Sequence, residues 1–186
     1  PDDAWGLHAV AHVYDMRAQP DAGIDLIESH ANAWGSSNNF RYHVWWHKAL
    51  LHMDRGELDV ALALYDSHIR IEKTDDYRDI SNATSLLMRL ELEGIDAGNR
   101  WEELAEFSEN RVEDGCLVFA DLHYMLALAG AEKDAAKAEK KEERKALEKS
   151  GELDDMMAYV DEFGNISDTP PDPTIKKKPI NAKSIE

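Results

Sequence analysis

The chain has 186 residues and a mass of 21.0 kDa, enough for one domain with a core or for a short repeat array. Its 38 Asp and Glu outweigh 21 Lys and Arg for a formal net charge of −17, which argues against a nucleic-acid partner and against docking on anionic membranes, since both need a basic surface. The single cysteine, Cys116, rules out an internal disulfide and a CxxC metal clip, and no apolar run approaches the roughly 18 residues of a spanning helix, so a reducing, cytoplasmic setting is expected.

In chain order, Pro1-Asp2-Asp3 opens without Met or an apolar leader, the pattern expected of a processed chain or a piece of a longer one. Leu7, Val10, Ala11 and Tyr14 then mark a first helix. Pro20 suits the opening position of a second helix, which carries Gly23 and Ile27. The same pattern returns 38 residues later. Asn38 and Asn39 are candidate caps for an apolar stripe from Phe40 to Met53, Asp54-Arg55-Gly56 is the stop, and Glu57 to Ile69 repeats Leu58, Ala61, Leu62, Tyr65 and Ile69 at helical steps. In the tetratricopeptide slots of this unit stand Trp45, Lys48, Ala49, His52, Ala61 and Tyr65. Lys48 and His52 depart from the signature and the other four fit it.

A third hairpin is expected from Asn82–Glu93, with Leu86, Leu87, Leu90 and Leu92, and from Arg100–Glu109 around Trp101, Leu104 and Phe107. Gly94 and Gly98 bracket its turn, and Asp79, Asn82 and Ser85 read as caps or first-turn residues, or alternatively as polar groups presented into the groove between hairpins. A fourth first-helix runs from Cys116 to Ala129 and ends at Gly130, with Cys116 read as a small buried hydrophobe. Residues 131–149, near neutral and alanine-rich, read as a solvated helix, Gly151–Phe163 as one more short helix, and the proline-bearing stretch beyond Asn165 as an extended or disordered tail. No segment alternates with period two for long. The expected fold is all-α: a tetratricopeptide-like α-solenoid of about four helix hairpins over residues 1–130, charged helices over 131–164 and a tail over 165–186.

The blocks LHAVAHVYDM, NNFRYHVWWHKALLHMDRGELDVALALYD, NATSLLMRLELEGIDAGNRWEELAE and DLHYMLALAG resemble, in order, the C-terminal half of the tetratricopeptide repeat protein 38 family, over roughly residues 1–130. The doubled His-x-x-x-His blocks carry the resemblance. It implies a helical solenoid with an N-terminal half outside this sequence, and it implies no particular activity.

His8 and His12 stand four apart, as do His43 and His47, so each pair shares a helix face. Aligned through the repeat, the four fall within an arc of about 100° on neighbouring first helices, with Trp5, Asp15, Trp46 and Met53 beside them. Tyr42, His123 and Tyr124 are placed within reach of the same groove. Three readings stay open. The rings are packing residues, or they line a concave pocket for a protein segment or a small anionic ligand, with histidine titrating near neutral pH to supply positive charge, or some of them bind a divalent ion. Neither pair carries the glutamate of an HExxH motif, and no metal or cofactor is assigned. The leading expectation is a binding module using Trp5, His8, His12, Tyr42, His43, Trp46, His47 and His123. The rivals are an enzyme using the imidazoles as general base or metal ligands, and a structural, dimerising part of a larger chain.

Overall fold

A computed structural model describes residues 3–115, 117–150, 159–160 and 166–167. The chain divides into two compact units, residues 1–136 and residues 137–186. The helices are α1 (Ala4–Met16), α2 (Pro20–Ser29), α3 (Ala31–Gly35), α4 (Phe40–Asp54), α5 (Leu58–Leu64), α6 (Tyr77–Leu92), α7 (Arg100–Glu109) and α8 (Val118–Ser150). The architecture is helical, as expected. The strand content among the described residues is one two-residue antiparallel pairing, β1 (Tyr159–Val160) with β2 (Ile166–Ser167). β1 replaces part of the short helix expected over Gly151–Phe163, whose remaining residues lie outside the described ones, as do Cys116 and the tail beyond Ser167. No helix among the described residues is long and apolar enough to cross a membrane.

Local chemistry explains most of the boundaries. Asp3 caps α1 by accepting the Gly6 backbone N–H at 3.0 Å, and Pro20 occupies the first turn of α2, where its missing N–H costs nothing. α4 stops where Gly56 takes φ +74, a conformation that a side chain would strain. The second helix of that hairpin is α-helical only to Leu64; Tyr65–Ile69 widens into a π-helical turn.

Packing runs hairpin against hairpin. α4 touches α1, α2, α5 and α6, so it is the hub of the first unit. Gly23 of α2 is what admits it: a Cβ there would meet Leu51 Cδ1 at 2.7 Å, so the small residue is a hole for a leucine of the next hairpin. One core joins Ala11, Ile24, Ile27, Trp34, Val44 and Leu51; a second joins Ala49, Ala61, Tyr65, Ile69, Leu86, Leu90, Trp101 and Ala127. Both departures from the repeat signature have partners. Lys48, buried over the Trp45 ring, reaches Glu28 of α2 at 2.7 Å, and His52 Nδ1 meets Glu57 at 2.6 Å.

Two expectations are corrected. Gly130 does not end a helix. α8 continues through it, because the glycine leaves room for the Trp101 ring, which a Cβ would meet at 2.4 Å. α6 starts five residues before Asn82, capped by Asp76 accepting the Arg78 N–H at 2.9 Å. Asp79 therefore keeps its expected place in the first turn, buried and accepting Asn39 Nδ2–H at 2.7 Å, while Asn82 and Ser85 fall inside the helix.

Candidate functional site

α1 and α4 lie side by side, and each offers two histidines one turn apart on the facing surface. His8, His12, His43 and His47 converge so closely that one ring nitrogen from each lies within 4.8 Å of the others. His47 Nε2 is the hub, 3.0 Å from His8 Nε2 and 3.1 Å from His43 Nε2. The His12 ring stands 4.2 Å from that of His47 and 4.5 Å from that of His8. His47 is buried, His8 and His43 are half-buried, and His12 is exposed, so the cluster has a closed floor and an open rim.

Aromatic rings wall it. Trp46 stacks on His43 at 5.4 Å and 14°, Phe40 lies edge-on to His8 at 5.0 Å, and Trp5, 69% exposed, leans on Phe40 at 4.1 Å. From α6, Asn82 Oδ1 faces His43 Nδ1 at 3.0 Å. With that Nδ1 bearing the proton, the Nε2 lone pair of His43 points to the centre.

Of the residues expected at the site, Trp5, His8, His12, His43, Trp46 and His47 are brought together, and Tyr42 and His123 are not. One step along a helix turns the chain by about 100°, which carries Tyr42 away from His43 and into the core, where its hydroxyl accepts Arg41 Nη2–H at 2.7 Å. His123 sits exposed on α8, its Nδ1 2.7 Å from the Phe119 carbonyl and its ring against Phe119. Tyr124 is buried with Ile80 and Ala120. The sequence reading missed Phe40 as a wall and offered Asn82 only as the alternative to a cap, as a polar group facing the groove, which is where it stands. For Asn82 a signal existed: it follows His43 by 39 residues, the same step that separates His8 from His47.

Further along the same helices, Asp15, Leu50, Met53, Asp54, Leu58, Arg89, Leu92 and Glu93 line a groove of about 360 Å³. A larger cavity of about 510 Å³ lies on the side of α5 and α7, where Arg100 pairs with Asp66 and Arg70 with Glu103.

No protein-family model matches this chain, and no solved structure matches it significantly. The chemistry of the site therefore rests on its own geometry. Burial, followed by the neighbouring imidazoles His43 and His12, pushes His8 down to about 4; burial and the other three rings push His47 down to about 2; burial also lowers His43, against the hydrogen bond it donates to Asn82, which raises it. Burial thus favours the neutral form of these three rings at pH 7.

The same shifts set an acid limit. Below the ordinary value of 6.5 the unfolded chain takes up protons that His47 refuses until about 2 and His8 until about 4. Stability of ion-free protein is therefore present in full above pH 6.5 and falls on acidification, with His47 giving the largest share. Urea unfolding at about pH 7 and pH 5 checks this. His47→Leu is expected to remove the largest share of the slope; equal slopes in the two proteins would contradict the assignment.

Proposed function

We propose that this chain is a tetratricopeptide-like binding module that takes a basic protein segment along the face shared by α1, α4 and α6. Supporting this, residues 1–131 carry 24 Asp and Glu against 10 Lys and Arg, a net of −14. The groove beside the imidazole cluster repeats that bias locally. Asp15, Asp54 and Glu93 surround Leu50, Met53 and Leu92, and the one cation of the lining, Arg89, is held by Ser85 at 2.6 Å and lies over Trp46. Asp15, Asp54 and Glu93 form no ion pair among the described residues. Carboxylates around an apolar floor, with the exposed indole of Trp5 on the same pair of helices, suit lysine and arginine side chains with apolar neighbours. This carries the reading.

The enzymatic reading has less behind it: no Asp or Glu joins the imidazole cluster among the described residues, so no carboxylate is placed there to relay a proton. Fluorescence anisotropy with Lys/Arg-rich and Asp/Glu-rich peptides of equal length tests the proposal. Binding of the basic set alone is expected, weakening with salt, and a drop of about tenfold in the Asp15→Asn/Glu93→Gln variant. Capture of the acidic peptides, or of neither, would overturn it.

A further inference from the structure

We propose that His8, His12, His43 and His47 form a site for one divalent transition-metal ion of the zinc class, built between α1 and α4. This goes beyond the groove reading and uses different atoms.

The first support is distance. Four imidazole nitrogens around Zn²⁺ at about 2.0–2.1 Å lie about 3.3–3.4 Å from one another in a tetrahedron. The two contacts at His47 Nε2, 3.0 and 3.1 Å, are already close to that spacing, and all four nitrogens fall within 4.8 Å. His12, the exposed member, already has its ring 4.2 Å from that of His47.

The second support is a proton count. His47 Nε2 faces two other Nε2 atoms, and His43 presents a lone pair because Asn82 holds its Nδ1 proton. If His47 Nε2 is bare, two lone pairs meet at 3.1 Å; if it carries hydrogen, one proton is shared between two acceptors. His47 is only 3% exposed, so bulk water does not relieve this mismatch. A cation accepting the Nε2 lone pairs of His8, His43 and His47 removes the conflict at the centre.

The third support is the donor set. It is all nitrogen and all neutral ligand types, with no carboxylate, which favours zinc, copper, nickel or cobalt over magnesium or calcium. Asn82 supplies the outer hydrogen bond that metal-bound imidazoles characteristically have, and Trp46 and Phe40 pack against His43 and His8.

The test uses the full untagged chain, stripped with a chelator and titrated with Zn²⁺ against a chromophoric competitor, with Mg²⁺ as the hard-ion control. One Zn²⁺ per chain, a raised thermal midpoint and no Mg²⁺ response are expected. His12→Ala, on the open rim, should weaken Zn²⁺ at least about tenfold with unchanged helicity, Asn82→Ala about 10–100-fold, and His123→Ala not at all. Failure of the wild-type chain to take up one equivalent would overturn the proposal, as would undiminished affinity in the His12 and Asn82 variants. Peptide capture without Zn²⁺ uptake would defeat the metal site and leave the groove reading standing; loss of both would remove each.

Discussion

Arg70→Ala is expected to destabilise the protein by about 3–5 kcal/mol, the usual cost of removing one member of a buried ion pair and leaving its partner behind. Arg70 follows the π-helical turn, and its backbone N–H returns to the Tyr65 carbonyl at 2.8 Å. Its side chain is 1% exposed; Nε and Nη2 donate to the two Glu103 oxygens of α7, and Phe107 lies 5.6 Å beneath the guanidinium. Without it, a Glu103 carboxylate that is only 17% exposed loses its ion-pair partner. Urea unfolding followed by far-UV circular dichroism gives the loss. A paired variant, Arg70→Met with Glu103→Leu, should recover most of it, since removing both charges ends the desolvation penalty along with the attraction. A loss below about 1 kcal/mol in the single variant would show that the pair is solvated in solution.

Trp34→Ala is expected to cost about 3–5 kcal/mol as well, by a different route, through a cavity. Trp34 is fully buried in the short α3, packed with Ile24, Ile27 and Leu51, and its Nε1–H donates to the Ile27 carbonyl at 3.1 Å. The ring lies 6.5 Å from Phe40, the residue on which Trp5 and His8 rest. The cavity therefore opens directly behind the imidazole cluster. Fluorescence should report Trp5 moving as well as stability falling, and Phe40→Leu should reproduce the first effect with much less of the second. If Trp34→Ala left the Trp5 emission unchanged, Phe40 would not be the link between core and rim.

Much of this was readable from residue order because the forces involved are local. Pro20 at a helix start, Gly56 at a helix end and the apolar stripe of α4 each act within a few residues of themselves. The histidine spacing likewise reports a shared face within one helix. What spacing cannot supply is the register of one helix against the next, which here depends on Leu51 entering the hole at Gly23. That packing sets four rings side by side, whereas Tyr42 is turned inward by its place one residue before His43 on the same helix. Gly130 was misread because glycine serves both as a helix stop and as a close-approach site, and only the Trp101 ring across the interface tells the two apart. α3 escaped notice because five residues are too short to show a period.

The leucine seated at Gly23 belongs to one hairpin and its socket to another. Detaching the leading hairpin would bare that methyl-bearing side chain to solvent, so end fraying is resisted by the adjoining unit rather than by the detached piece's own strength. Stability in this stretch is thus a property of the seam, and a bulkier residue at position 23 would unzip neighbours while leaving each of them individually sound.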